Sequence, residues 1–144
     1  MKGGVIVNKD YVIFVREDKE SFPSDYKFYT FNGIPRVLYV TSNRGNVGGL
    51  KEDFFDMEGN LMELNQKGYE GNPQTPRLPK SFRTMAELAC VLAKGTCHLR
   101  VDFYEVDNRL YVGELTFYDG AGFCEFTPDK YNRILGDWIK LPID

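Results

Sequence analysis

Charged side chains recur at a spacing of two residues in the segment 98–117, HLRVDFYEVDNRLYVGELTF. Successive side chains of a β-strand point to opposite faces, so Arg100 and Asp102 share one face of a predicted strand. In the second half of the segment, Glu114 and Thr116 share a face in the same way. Two neighbouring strands would therefore each present an acidic side chain, with a second polar side chain beside it.

The turn between these two strands decides which faces meet. A two-residue loop at Asp107 and Asn108 would set the apolar side chains of one strand against the polar side chains of the other. A three-residue loop from Asp107 to Arg109 brings like faces together, and the pattern favours it. This register pairs Leu99 with Phe117, Arg100 with Thr116, Val101 with Leu115, and Asp102 with Glu114.

The predicted pairing places two carboxylates directly opposite each other, where like charges destabilise a sheet unless a cation relieves them. Mg²⁺ is a candidate, because it takes one or two protein carboxylates together with phosphate oxygens. The alternative is a solvated sheet face on which Arg100 or Lys27 pairs with the acids. Spacing by itself leaves both interpretations open.

Composition limits the classes of function. The 144 residues fit one domain, and the net charge of −3 argues against general nucleic-acid binding. The chain has neither a long apolar run nor the pattern of a signal peptide, so we expect a cytoplasmic protein without a membrane span. Cys90, Cys97 and Cys124 show no metal-binding spacing, and we expect them to be reduced and buried as small apolar side chains.

The surrounding elements predict an α+β fold, an antiparallel β-sheet backed by helices. Tyr11 to Arg16 is a predicted strand, and two further strands flank the turn-forming pair Asn32-Gly33. Residues 41–80 are expected to be largely irregular. The predicted helix from Thr84 to Gly95 has a capping box at Thr84 and Glu87, and a shorter helix from Asp129 to Leu135 should end at Gly136. The apolar stripe predicted for the first helix contains Met85, Leu88, Ala89 and Leu92.

The segment RVDFYEVDNRLYVGELTF resembles the metal-binding end of the ATP-grasp family. In that family an Arg-x-Asp strand is followed, about a dozen residues later, by a strand ending in Glu and a polar ligand. The resemblance implies that Asp102 and Glu114 bind Mg²⁺ and that Thr116, which stands where many members have Asn, is the third metal ligand. It also implies that Arg100 lies beside the site of phosphoryl transfer and binds ATP.

More of the chain resembles the TupA-like branch of ATP-grasp proteins, which is associated with cell-wall and surface polysaccharide synthesis. The similar segments, in order, are PSDYKFYTFNG, TSNR, FFD, GELTFYDGAGF and LGDWIKLP. Lys27 and Arg44 then stand where related ligases place phosphate-binding residues, which implies catalytic and nucleotide-binding roles. The implied partners are MgATP, a small-molecule carboxylate and an amine or sugar-linked acceptor, joined through an acyl phosphate.

The resemblance also implies a preceding subdomain with a Gly-rich phosphate loop. We therefore expect residues 1–144 to form a single C-terminal ATP-grasp subdomain that lacks the family's N-terminal part. A partner chain would then supply the missing subdomain, or the exposed flank would lead to a homo-oligomer. The competing hypothesis is a truncated, noncatalytic remnant that acts as an interaction or scaffold domain.

Overall fold

The computed structural model describes residues 4–8, 11–15 and 24–142. It is built from antiparallel strands and two α-helices, which confirms the predicted α+β class. The strands are β1 (Gly4–Asn8), β2 (Tyr11–Val15), β3 (Asp25–Phe31), β4 (Ile34–Ser42), β5 (Lys51–Phe55), β6 (Asn65–Gln66), β7 (His98–Val106), β8 (Arg109–Thr116) and β9 (Phe126–Thr127). The helices are α1 (Phe82–Leu92) and α2 (Lys130–Trp138), and a short 3-10 turn covers Asp119–Gly122.

Five strands form the central sheet, in the order β5-β4-β3-β7-β8. β1 pairs with β2, and β6 pairs with β9, in two small antiparallel sheets. The predicted strand at Tyr11 is confirmed as far as Val15, and Arg16 lies outside the described residues. The predicted hairpin at Asn32-Gly33 is also confirmed, because both residues have the positive φ angles that such a tight turn needs.

Helix α1 packs on one face of the central sheet. Met85 and Ala89 are buried there as predicted, but Leu88 and Leu92 are exposed. The buried stripe continues through Ala93 instead, and Phe82 stacks on Phe28 of β3 with ring centroids 6.0 Å apart. The helix therefore meets the sheet along a narrower line of side chains than the apolar pattern indicated.

The start of α1 also differs from the prediction. The helix begins at Phe82, and Thr84 lies inside it rather than at its cap. Ser81 occupies the N-cap position without a side-chain hydrogen bond to the helix. The helix therefore begins three residues before the start that a cap at Thr84 would give, with Phe82 packed on the sheet, so the predicted capping box was wrong. At the other end Gly95 adopts the expected left-handed conformation, with φ of 82°.

Residues 41–80 are less irregular than predicted, because β5 and β6 lie within them. β5 pairs with β4 in a register that runs from Leu38 opposite Phe55 to Ser42 opposite Lys51. It forms one edge of the central sheet. Phe54 and Phe55 are both buried, one on each face of the sheet. The Gly-rich segments on either side of β5 concealed this strand from a reading of composition alone.

The opposite face of the sheet has an apolar half and a polar half. Helix α2 covers the apolar half with Leu135, while Trp138 packs edge-on against Phe31 with centroids 5.3 Å apart. The prediction that Gly136 ends this helix was wrong, because the contact of Trp138 continues it for two more residues. Among the helices that the structure describes, none is long and apolar enough to cross a membrane.

Candidate functional site

The hairpin of β7 and β8 brings the two predicted acids together, but its loop is shorter than expected. Asp102 pairs with Glu114 and Arg100 pairs with Thr116, which confirms the predicted register at these positions. The loop itself has two residues, since Val106 pairs with Arg109, so the three-residue loop was wrong.

A β-bulge at Gly113 reconciles the short loop with the predicted pairing. Phe103 pairs with Val112, whereas Asp102 pairs with Glu114, so Gly113 is one extra residue on β8. A Cβ atom at Gly113 would lie 2.5 Å from the Tyr104 ring, so only glycine fits this close approach. The bulge shifts the register by one residue and returns Glu114 to the polar face.

Arg100 is the centre of the polar half of this face. Its guanidinium donates two hydrogen bonds to Asp102, from Nε at 2.7 Å and from Nη2 at 2.8 Å. Nη2 also donates to Glu114 at 2.8 Å, and Nη1 donates to Asp119. Both predicted metal carboxylates therefore converge on one nitrogen atom. Burial by itself lowers the pKa of Arg100, but the hydrogen bonds to Asp102 and the negative charge of Asp119 outweigh burial and raise the pKa overall.

Asp102 is almost fully buried, at 1% exposure, and it has two cationic partners. Besides the paired bonds from Arg100, its Oδ2 atom accepts a hydrogen bond from Lys27 Nζ at 2.6 Å. Burial raises the pKa of Asp102, while Arg100 and Lys27 act in the opposite direction. In the described structure protein cations therefore pair with this acid, as the alternative interpretation from the sequence proposed.

The remaining predicted side chains lie around this pair on the same face. Arg44 is half-exposed and donates a 2.6 Å hydrogen bond to Asp25, which also lies 3.3 Å from Lys27. Glu114 is mostly exposed, and its Oε2 atom accepts the hydrogen bond from Arg100. The hydroxyl of Thr116 is buried and has no hydrogen-bond partner among the described residues. The fold thus assembles all six predicted side chains at one site.

Three further acids at the site were not predicted from the sequence. Asp25 precedes Lys27 by two residues, so strand alternation could have placed it on the same face. Glu52 was missed because β5 was not recognised as a strand. Asp119 lies in a loop beyond β8, where no periodic pattern reports the direction of a side chain. It contacts both Arg100 and the hydroxyl of Tyr29.

Glu52 is the most unusual of these acids. It is 4% exposed, and its buried Oε2 atom has no hydrogen-bond partner within the described part of the chain. Burial raises its pKa to about 7, and the nearby charge of Asp119 adds to this rise. Lys27 and Arg100 lower it in part. A buried carboxyl with a strongly raised pKa beside a charged cluster is typical of functional sites.

The cluster has more acids than bases. Five acids face three bases, which leaves two excess negative charges if every group is ionised. The acids are Asp25, Glu52, Asp102, Glu114 and Asp119, and the bases are Lys27, Arg44 and Arg100.

The chemistry of these side chains fits a hard cation such as Mg²⁺, because the available donors are carboxylate and hydroxyl oxygens. Over residues 24–142, no group of three or more His, Cys, Asp or Glu side chains is arranged to hold a metal ion. Asp102 and Glu114 alone would give an incomplete shell. Mg²⁺ commonly completes such a shell with water and phosphate oxygens, so the donor set fits a metal that arrives with a phosphate ligand.

A cavity of about 730 Å³ adjoins this cluster. Its wall includes Tyr29, His98, Phe117 and Asp119, so Asp119 borders both the cavity and the charged cluster. His98 packs against Tyr29 at 5.6 Å between ring centroids, and burial lowers its pKa. His98 is thus packed among aromatic side chains in the wall of this cavity.

The cysteines differ from one another in exposure. All three are free thiols, but Cys90 is exposed on α1, so the expectation that it is buried was wrong. Cys90 lies on the side of α1 away from the sheet, because α1 packs on the sheet through Met85 and Ala89. Cys97 and Cys124 are partly buried in the wall of the cavity.

Residues 6–140 match a family model described as TupA-like ATPgrasp. No curated protein and no solved structure matches the chain. The matched residues include both strands of the β7–β8 hairpin, the Lys27 strand and the loop of Asp119. The match spans nearly the whole sequence, and the chain therefore belongs to the TupA-like ATP-grasp family.

Proposed function

We propose that this chain provides the metal-binding and phosphate-binding face of an ATP-grasp ligase that joins a carboxylate to an amine. The observation that supports the proposal best is the convergence of Asp102 and Glu114 on Arg100 Nη2. Each carboxylate oxygen lies 2.8 Å from the same nitrogen, so the two oxygens are near neighbours on one face. Glu52 is protonated in part near pH 7, so the cluster carries an excess of between one and two negative charges, which a divalent ion would offset.

In this proposal Asp102 and Glu114 hold Mg²⁺, and the Thr116 hydroxyl is a third donor. Bound Mg²⁺ would neutralise charge on the phosphates of ATP. Glu114 is suited to this role because it is 59% exposed and uses one oxygen for Arg100. Asp102 is buried and fixed by two cations, so it supplies a ligand of constant position.

The three bases would bind phosphate oxygens. Arg100 and Lys27 are held in place by Asp102, which preorganises their charges before a nucleotide arrives. Arg44 is 53% exposed and rests on Asp25, so it can reach toward a ligand from the rim. Phosphoryl transfer needs positioning and charge stabilisation more than covalent help from the protein, and this cluster offers both.

The proposed reaction has two steps. A substrate carboxylate oxygen bonds to the γ-phosphorus of ATP as the bond to the ADP oxygen breaks, which gives an acyl phosphate. The nitrogen of an amine acceptor then bonds to the acyl carbon, phosphate leaves, and the nitrogen gives up a proton. We place this reaction in the cytoplasm, where ATP is supplied, and assign it to surface polysaccharide synthesis from the family resemblance.

A Gly-rich phosphate loop, as the family resemblance implies, would add further phosphate contacts to those of this face. We propose that a second ATP-grasp subdomain supplies it, on the same polypeptide or on a partner chain. Residues 1–144 would then act as one subdomain of a larger site. The acceptor, either an amine or a sugar-linked amine, would enter from the side of the cavity beside Asp119.

Calorimetric titration with MgATP tests the proposed nucleotide site. We expect the parent chain to release heat on binding, Glu114→Gln to bind more weakly, and Asp102→Asn to lose binding. Glu87→Gln is a matched control, because Glu87 is exposed on α1 at the opposite face of the sheet. Circular dichroism establishes that each variant is folded. Glu114 is mostly exposed, so its variant remains informative even if Asp102→Asn fails to fold.

An interaction or scaffold domain without catalysis is the second candidate function. It is favoured by the engagement of Arg100 with three protein carboxylates, which occupies the donors that phosphate would need. Exposed apolar side chains on and beyond β8, such as Leu115 and Phe117, could serve a protein partner. A parent chain that gives no heat with MgATP, or variants that bind it unchanged, would discard the nucleotide site in favour of this function.

A further inference from the structure

The loop at residues 117–124 connects the charged cluster to the cavity. Asp119 in this loop accepts hydrogen bonds from Arg100 Nη1 and from the Tyr29 hydroxyl. Phe117, Tyr118 and Asp119 also form part of the cavity wall. Any movement of Asp119 would therefore change its ion pair with Arg100 and also the shape of the cavity.

The conformation of this loop is not one that its own backbone favours. Gly120, Ala121 and Gly122 follow one another with φ angles of 53°, 57° and 81°. Ala121 is the only one of the three with a Cβ atom, and a left-handed conformation is unfavourable for such a residue. Contacts outside these residues must hold them in place, and the partly buried side chain of Asp119 makes such contacts with the sheet.

The aromatic side chains of the loop add little to this anchoring. Tyr118 is 80% exposed and Phe123 is 86% exposed, so neither packs into the body of the protein. On the sheet side, Asp119 meets two groups that are themselves fixed, since Tyr29 is buried and Arg100 is paired with Asp102. The ion pair of Asp119 is thus a specific attachment of a largely exposed loop, whose far end is held where Cys124 accepts a 3.1 Å hydrogen bond from Gln66.

Arg100 offers Asp119 the nitrogen that Asp102 does not use. Nε and Nη2 of Arg100 both donate to Asp102, whereas Nη1 donates to Asp119. A guanidinium binds carboxylate and phosphate oxygens through the same donors. Arg100 has five N–H donors, and the hydrogen bonds to carboxylates use four of them, which leaves one on Nη1. A phosphate that takes both donors of Nη1 therefore displaces the carboxylate of Asp119.

We propose that Asp119 is an internal competitor of phosphate for Arg100, so that nucleotide binding releases the loop at residues 117–124. This inference rests on the proposed function, because it assigns Arg100 to phosphate. Release of Asp119 changes the cavity wall, and it couples the nucleotide site to whatever ligand the cavity accepts. By linkage, a ligand that needs the loop displaced binds more tightly after the nucleotide and strengthens nucleotide binding in return.

Two measurements on Asp119→Asn test this coupling. Asparagine keeps the size of the side chain and removes its charge, so MgATP should bind about tenfold more tightly than to the parent chain. Amide hydrogen exchange within residues 117–124 should be faster in the variant without nucleotide. In the parent chain, addition of MgATP should accelerate exchange in the same residues, and in the variant it should add little.

Two variants serve as controls. Asp107→Asn changes an exposed turn in which asparagine is equally favourable, so neither measurement should change. Tyr29→Phe removes the other bond of Asp119 but keeps its charge. By linkage this variant should accelerate exchange in the loop and bind MgATP more tightly than the parent chain, but by a smaller factor than Asp119→Asn, because the charge that competes with phosphate remains.

The outcomes separate this inference from the proposed function. If the parent chain and Asp119→Asn bind MgATP with equal affinity, or the variant binds more weakly, the competition is refuted while the nucleotide site stands. Unchanged exchange in the Asp119→Asn loop also refutes it. If neither protein gives heat with MgATP, the proposed function and the competition both fail.

Discussion

Replacement of Glu52 by glutamine should stabilise the protein at alkaline pH but not at acidic pH. Glu52 is buried, and its Oε2 atom has no hydrogen-bond partner within residues 24–142. Ionisation of this side chain in the folded protein is unfavourable, which raises its pKa from 4.5 to about 7. Glutamine has nearly the same shape as protonated glutamic acid and cannot ionise.

The sign of the effect follows from the direction of the pKa shift. A group that holds its proton more tightly in the folded state favours folding when it is protonated, at pH below 4.5. That contribution is lost progressively as the pH rises from 4.5 to about 7. Each pKa unit corresponds to 1.36 kcal/mol, so the loss from this one residue amounts to about 3 kcal/mol.

Urea unfolding of the parent chain and of Glu52→Gln at pH 5, 6, 7 and 8 measures this difference. The variant should exceed the parent in free energy of unfolding by less than about 1 kcal/mol at pH 5 and by about 3 kcal/mol at pH 8. The difference between the two free energies of unfolding at each pH isolates Glu52, because the contributions of all other titratable groups are common to both proteins and cancel. Glu87→Gln, on the exposed side of α1, should follow the parent at every pH.

Parallel curves for the parent and Glu52→Gln would refute the reasoning, because they would mean that Glu52 ionises equally easily in the folded and unfolded states. A variant that is less stable at pH 8 would also refute it. That result would show that the ionised carboxylate makes a favourable contact with Lys27 or Arg100.

Further predictions concern packing and association. Met85→Ala should lower the free energy of unfolding by about 2 to 5 kcal/mol in a urea titration, because Met85 is fully buried between α1 and the sheet. Leu92→Ala should cost less than about 1 kcal/mol, and an equal loss in both variants would contradict the observed orientation of α1. Exposed apolar side chains on β8, an edge strand of the central sheet, should cause self-association, which sedimentation velocity would detect and Leu115→Lys should reduce. A parent chain that sediments only as a monomer would contradict that expectation.

Local patterns predicted the parts of the site that lie on one hairpin. The alternation of side chains set Arg100 and Asp102 on one face of their strand. The apolar side chains of the two strands were matched on the other face, which set the polar side chains of the second strand beside Arg100 and Asp102. This matching led to the correct pairing of Asp102 with Glu114 even though the predicted loop length was wrong. The bulge at Gly113 was not predicted, because it depends on the contact of Gly113 with the Tyr104 ring.

The helix predictions show where local patterns are insufficient. The sequence of α1 contains more apolar residues than the sheet can cover, so periodicity identified the helix but not which side chains are buried. Packing of Phe82 on Phe28 fixed the start of the helix. Contact of Trp138 with Phe31 similarly carried α2 past Gly136, where local sequence alone indicated an end.

The sequence by itself determined the strands of the two predicted hairpins and the face on which Asp102 and Glu114 meet, because these depend on residues close together in the chain. Only the tertiary structure decided that β3 lies beside β7, which brings Lys27 to Asp102 across 75 residues. It also placed Glu52 and Asp119 beside Arg100. Side-chain alternation fixes a face within a strand, whereas the order of strands and the position of a covering loop depend on how the whole sheet and its helices bury their apolar surface.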